Sequence, residues 1–306
     1  MTAERTILVA GVTGMLGGKI VDALLAEGGV AVRALVRDAH PDGDEARRRL
    51  DDIRARGVEV AVGDLRDGES LRRAVEGADG IVSAVQGGED VIITGQTNVL
   101  RAAEQAGVGR FIPSDYAVDY RKLAEGDNPN LDLRRRFATI LRESPVAHTV
   151  VLNGAFTEVE LGPWGAMIDE AAGTFSYWGD GQTPVDMTVA DDVARYTAAA
   201  VLDPDMANRT LQVAGDTLTL TAFHAVYQEV TGRRLEERRL GSVDELVAWI
   251  AATKRTASSP YAYLPQQYHY AMVSGKGKLD DIQNARYPHI RPLSVRQFLQ
   301  QSAPVS

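Results

Sequence analysis

Three glycines, Gly11, Gly14 and Gly17, follow the apolar run 6–10 with two residues between neighbours. Glycine lets a chain turn tightly and approach a pyrophosphate, and the N–H groups opening a following helix bind the anion. Gly11, Thr13, Gly14, Met15, Leu16 and Gly17 are therefore the candidate phosphate loop of a dinucleotide site. Gly18-Lys19 also invites a nucleoside-triphosphate loop. That pattern needs glycine where Thr13 stands and serine or threonine where Ile20 stands, so it fails here. The next apolar run, 31–36, ends in Arg37. An acidic residue at that place accepts from the ribose of NADH, whereas arginine pairs with the 2′-phosphate of NADPH. Arg37 thus favours NADPH over NADH, with Arg33 on the same face by the two-residue period of a strand. Asp38 must then point away from the phosphate. Later runs end in Asp64-Leu65, placed to flank an adenine, and in Ala84-Val85-Gln86, placed beside the ribose and nicotinamide.

These residues need a scaffold that gathers strand ends. Short apolar runs at 6–10, 31–36, 58–62, 80–85, 110–113 and 148–152 alternate with helical spacing at 15–27, 44–56, 69–76, 94–106 and 131–142. Such runs predict an α/β fold, a doubly wound parallel sheet whose crevice lies at the carboxyl ends of the strands. Beyond about residue 155 the alternation stops, and Gly, Pro, Trp and Tyr become frequent. The predicted division is a dinucleotide-binding Rossmann domain over 1–155 and a mainly substrate-binding domain over 156–306. Segments near 183–215 are expected to return to the first sheet. Within the second part, helices are expected over 189–202, 221–230 and 243–253, and a strand over 210–214.

The glycine loop, Ala34-Leu35-Val36-Arg37, Phe111-Ile112-Pro113-Ser114-Asp115-Tyr116, Asn153-Gly154-Ala155-Phe156 and the tail from Ser274 to Pro288 carry a resemblance. Together they resemble the NmrA-like group of atypical short-chain dehydrogenases, nearest its isoflavone reductase and phenylcoumaran benzylic ether reductase branch. The resemblance implies an extended Rossmann domain with a smaller substrate domain. It further implies NADPH-dependent reduction of a hydrophobic small molecule of quinone, enone, imine or benzylic ether type. Ser114 enters the cofactor site on the same ground. Two departures bear on mechanism. Most short-chain dehydrogenases use a Tyr-x-x-x-Lys pair, but the residues four before the five lysines are Met15, Val118, Ile250, Met272 and Ser274. The branch's own lysine, about twenty residues past the Pro-Ser segment, falls on Leu131-Asp132-Leu133-Arg134-Arg135-Arg136, where arginine stays charged and shuttles protons poorly. The group also contains members that bind dinucleotides without turnover, so an NADP(H)-sensing regulator is the alternative.

Hydride transfer needs an electrophilic carbon held near the nicotinamide and a group that stabilises the atom receiving charge. Tyr116 is a candidate either as pocket wall or as donor, and Lys122 is the one lysine near it in sequence. Asn153 offers a polar contact to a carboxamide or to substrate, or else serves a turn. Phe156, Trp164 and Tyr263 are the candidate substrate contacts, the last within a cluster of Tyr261, Tyr263, Tyr268 and Tyr270. Composition narrows the chemistry. Among 306 residues there is no cysteine, which excludes thiolate nucleophiles, disulfides and Cys-ligated metals. Five scattered histidines show no metal-binding spacing, so no metal is expected. Lys+Arg 33 against Asp+Glu 42 gives a net charge of −9, which disfavours nucleic acid and anionic membranes as partners. No apolar stretch reaches the ~20 residues of a membrane span. The expectation is a cytoplasmic monomer or homodimer acting on a small hydrophobic or aromatic substrate.

Overall fold

A continuous apolar run has no polar face to give to water, so it becomes the centre of a sheet. Residues 7–10 are all buried. The structure, a computed structural model, describes residues 5–40 and 42–302. Its elements begin β1 (Arg5–Ala10), α1 (Met15–Glu27), β2 (Val30–Val36), α2 (Asp44–Ala55), β3 (Glu59–Val62), α3 (Gly68–Val75) and β4 (Gly80–Ser83). They continue as α4 (Gln96–Ala106), β5 (Arg110–Ile112), α5 (Pro129–Glu143), β6 (Thr149–Leu152), β7 (Ala155–Phe156), α6 (Thr157–Leu161), β8 (Ile168–Asp169) and β9 (Thr174–Trp178). The rest are β10 (Val185–Thr188), α7 (Ala190–Leu202), β11 (Arg209–Gln212), β12 (Asp216–Leu218), α8 (Leu220–Thr231), β13 (Glu236–Gly241), α9 (Val243–Thr256), α10 (Leu264–Val273) and α11 (Val295–Ser302).

The chain divides into two units. The first comprises 1–115, 133–151 and 193–211; the second comprises 116–132, 152–192 and 212–306. The boundary expected at 155 differs from this division in that 116–132 joins the second unit, and the segment expected to return near 183–215 joins the first over 193–211.

In the first unit five parallel strands lie in the order β3-β2-β1-β4-β5, the doubly wound arrangement expected. Phe111 bridges in parallel to His148, just ahead of β6, and β6 pairs with β11. Leu71, Val75, Leu100, Phe111, Phe137 and Leu141 pack into one core from α3, α4, β5 and α5, the two rings 6.2 Å apart. Arg110 is the charged member of this interior. Its guanidinium donates to Thr149 Oγ1 at 3.0 Å and to the carbonyls of Ala200, Asp203 and Pro204 at 3.2, 3.1 and 3.4 Å. Carbonyls at the end of α7 carry partial negative charge, which suits a buried cation.

The second unit holds two small sheets, β12-β10-β7 and β13-β9-β8. None of the strands from β7 to β10, nor β12 and β13, announces itself in the sequence: β7 and β8 are two residues long, and β13, Glu-Glu-Arg-Arg-Leu-Gly, is mostly charged. The helices are clearer: α9 opens on a reciprocal capping box between Ser242 and Glu245. Asp186 on β10 ties the tail down. Its carboxylate accepts from Lys278 Nζ at 2.5 Å, the Leu279 N–H at 2.8 Å and Thr217 Oγ1 at 2.7 Å.

Candidate active site

The glycine loop of the first unit requires its glycines for two measurable reasons. Gly11 has φ +87°, and a Cβ there would lie 2.5 Å from the Ala84 carbonyl oxygen. A Cβ on Gly17 would lie 2.0 Å from the Gly11 carbonyl oxygen, so α1 can cross the turn only with glycine at that place. Gly14 caps α1 without a side chain, which leaves the first-turn N–H groups uncapped by any side chain. Thr13, Gly14 and Met15 are exposed around this turn, whereas the Leu16 side chain is core and offers a ligand its backbone alone. This is the cradle that a pyrophosphate fits.

Arg37 follows β2 and is exposed. Asp38 turns its carboxylate to the His40 N–H at 2.8 Å, which answers the requirement that it point elsewhere than at a phosphate. Arg33 does not assist: it pairs with Glu59 at 2.8 Å and donates to the Ala74 and Glu76 carbonyls at 3.1 and 2.6 Å. A different arginine does reach the loop. Arg49 on α2 donates to the Thr13 carbonyl at 3.4 Å while pairing with Glu45. A one-turn helical spacing says which face Arg49 occupies but not that this face meets the glycine loop.

Asp64 is held down to a pKa of about 2, first by hydrogen bonds from the Arg66 side chain and backbone, against burial, with the charges of Arg66 and Arg37 adding to the effect. It therefore stands as a carboxylate, its charge shared with Arg66. Leu65 packs on the core, and its carbonyl accepts from Asn98 Nδ2 at 2.8 Å. Ala84 continues β4 by donating to the Ala10 carbonyl at 2.9 Å. Ser114 is tied into the chain through both its hydroxyl and its N–H. Its hydroxyl donates to the Val85 carbonyl at 2.6 Å, and its N–H donates to buried Gln96 at 2.9 Å, fixing the backbone beyond β4. Gln86 is exposed beyond it.

In the second unit Asn153 is fully buried. Its backbone is tied at both ends: the N–H donates to the Ala117 carbonyl at 3.1 Å, and the carbonyl accepts from Thr188 Oγ1 at 2.6 Å. Both atoms of its side-chain amide lack a partner. A buried amide left unmatched is costly. Tyr116 is half-buried with its hydroxyl oxygen enclosed. Lys122 has a structural occupation, donating to the Lys278 carbonyl at 2.6 Å and pairing with Asp280 at 2.6 Å. The sequence places it beside Tyr116; the fold spends its ammonium on the tail.

The three aromatic candidates have separate surroundings. Phe156 ends β7, Trp164 meets Tyr268 edge to face at 5.7 Å, and Tyr263 lies under Lys254 Nζ at 5.7 Å. Tyr270, from the same tyrosine cluster, accepts from Lys276. Two residues that sequence reasoning passed over lie beside them. Glu160 on α6 and His269 on α10 are 6% and 5% exposed, with Oε2 and Nε2 3.7 Å apart. Neither atom has a hydrogen-bond partner. A glutamate on a five-residue helix and a histidine among tyrosines give no sequence signal of meeting.

Among the described residues no helix is long and apolar enough to cross a membrane. The isoflavone reductase homolog A622 of Nicotiana tabacum is 27% identical over 253 residues, 80% of each chain. Pinoresinol reductase 1 of Arabidopsis thaliana is likewise 27% identical, over 257 residues and 80% of each chain. Phenylcoumaran benzylic ether reductase Pyrc5 of Pyrus communis is 25% identical across 98% of this chain and 99% of its own. Among solved structures, AtPrR2 with NADP+ and (+)-pinoresinol superposes with a TM-score of 0.85 at 23% identity, covering 98% of this chain and 99% of that one. The leucoanthocyanidin reductase–NADPH complex from Vitis vinifera gives 0.82 at 20% identity over 97% and 98%. These two superpositions establish the Rossmann-type fold. The family model described as NmrA-like matches residues 3–293, and the chain belongs to the NmrA-like family.

Proposed function

We propose that the protein is an NADPH-dependent reductase of a hydrophobic aromatic or conjugated small molecule. The observation that carries this reading is the glycine cradle of the first unit: two glycines that admit no Cβ, an α1 start without a side-chain cap, and Arg37 exposed with Asp38 turned to His40. Relatives over four fifths of the chain or more are named as pinoresinol and phenylcoumaran benzylic ether reductases, which supports reduction of an aromatic substrate.

Gly11, Gly14 and Gly17 would hold the pyrophosphate, and Arg37 the 2′-phosphate, with Arg49 adding positive charge at Thr13. NADPH supplies hydride when bound. What remains for the chain is to stabilise and protonate the atom that receives charge. The Asn153 amide supplies one donor and one acceptor to a polar group of the ligand. Tyr116 and Phe156 contribute apolar wall. The arginine-bearing helix α5 supplies no neutral amine for the proton step. We place the protein in the cytoplasm, a setting that the absence of cysteine accommodates.

The deciding experiment titrates NADPH and NADH by fluorescence, then follows loss of NADPH absorbance with quinones, enones and cyclic imines. Tighter binding of NADPH than NADH and turnover of at least one compound are expected. Tight NADPH binding with no turnover across the panel would instead make the protein a dinucleotide sensor.

A further inference from the structure

We propose that the open edge of β13 seats a second copy of this chain, so that two second units share one sheet in the order β8-β9-β13-β13-β9-β8. The inference stands apart from the reductase reading. In the sheet β13-β9-β8, β13 lies at the edge with β9 on one side. The Glu236 N–H donates to the Gly173 carbonyl at 2.8 Å, so residue 236 turns its backbone toward β9. Alternate residues of a parallel strand serve opposite neighbours, so Glu237 and Arg239 turn their N–H and C=O groups to the open edge. Such an edge is a template for another strand, and proteins commonly blunt it with charge. Here the charges attract a copy instead. Glu236 and Arg238 share one face and pair at 3.0 Å; Glu237 and Arg239 share the other, where Glu237 accepts from Tyr177. Each face therefore carries Glu followed two residues later by Arg, a pattern complementary to its own reverse.

Two copies related by a two-fold axis normal to the sheet run antiparallel, and each residue then opposes one from its own face. Centring the axis on Arg238 sets Glu237 of each copy opposite Arg239 of the other, and each such pair exchanges both of its backbone hydrogen bonds. On the other face, Arg238 meets Arg238 of the second copy. Each is held beside Glu236 of its own chain and lies diagonal to Glu236 of the other. Centring the axis on Glu237 would require Leu235, which is already engaged. Its N–H donates to Gln228 Oε1 at 3.0 Å, and its carbonyl accepts from His224 Nε2 at 3.1 Å. Apolar groups adjoin the end of the ladder. Leu240 is 50% exposed, and Trp178, opposite Gly241, meets Trp249 with rings 6.4 Å apart. A second copy adds burial there to the charge pairing.

The test is sedimentation velocity of the full chain over a concentration series, in which wild type is expected to form a dimer. Glu236 and Arg238 are exposed on the face away from Tyr177, so exchanging their charges leaves the fold intact. Glu236→Arg leaves only arginine at these two positions, and Arg238→Glu only glutamate. Each variant alone is expected to raise the dimer Kd at least about tenfold, because like charges then face each other across the junction. Mixed in equal amounts, the two variants complement each other and are expected to regain a dimer within about threefold of the wild-type Kd. Arg239→Pro removes an N–H that faces the open edge and spares the ladder to β9; it is expected to abolish the dimer with its thermal midpoint close to that of wild type. A wild type monomeric throughout the series overturns the proposal. So does a dimer unmoved by both charge variants or by Arg239→Pro, and so does a mixture that stays as weak as its components.

Discussion

Arg33 lies on β2 and Arg37 just past its end, and of the two only Arg37 is left to meet a phosphate. Arg33 is spent on Glu59 and the carbonyls of Ala74 and Glu76. Arg37→Glu is accordingly expected to weaken NADPH at least tenfold more than NADH, because a carboxylate repels the 2′-phosphate and leaves the ribose hydroxyl of NADH a partner. Equal losses in a fluorescence titration would remove Arg37 from the phosphate site. The same scale separates Lys122 from chemistry. Lys122→Ala is expected to leave kcat unchanged and to lower Tm by a few degrees, through its ties to Lys278 and Asp280. Asp64 gives a pH prediction. Its folded pKa of about 2 lies below the ordinary 3.8, so its stabilisation is complete above 3.8 and is lost as pH falls through about 2. With the side chain 34% exposed, solvent screening holds this to about 1 kcal/mol or less. Acid titration of Asp64→Asn should show that component missing from the limb between pH 4 and pH 2.

At the scale of the element, the loop and first helix were legible because a glycine pattern and an apolar run are both local signals. The strands β1 to β6 and helices α1 to α5 follow the expected order to within a few residues at their ends, with a π-turn at 90–95 taking the start expected of α4. Illegible were the things set by distant packing: the Arg49–Thr13 contact, the spending of Arg33, and the meeting of Glu160 with His269. No periodicity encodes which helix face meets which loop. Gly17→Ala tests the local part. With a Cβ 2.0 Å from the Gly11 carbonyl oxygen, α1 must move off the turn, and NADPH binding should be lost while far-UV helicity is largely retained. Asp186→Ala tests the distant part. Lys278 and the Leu279 N–H would lose a buried carboxylate, which costs about 3–5 kcal/mol and should release the tail to proteolysis.

Across the whole molecule, chain order and unit membership part company: the return expected near 183–215 runs over 193–211, whereas nothing in the texture sets 116–132 apart from the first unit. Texture reports local composition, whereas membership is decided by which buried groups need one another. Arg110 makes the case: three of its acceptors, the carbonyls of Ala200, Asp203 and Pro204, come from the segment 193–211. That segment also brings β11 to β6 and buries Val193, Tyr196, Ala198 and Leu211 almost completely. A fragment of 1–155 would keep every glycine of the cradle and Arg37, yet leave the Arg110 guanidinium without those acceptors and a sheet edge uncovered. It is expected to show no cooperative thermal transition and no stabilisation by NADPH. The full chain should gain about 2.7 kcal/mol at a ligand concentration of 100 Kd. A cooperative, NADPH-responsive 1–155 fragment would mean that the dinucleotide unit closes its core without the return segment, and that Arg110 finds its acceptors elsewhere.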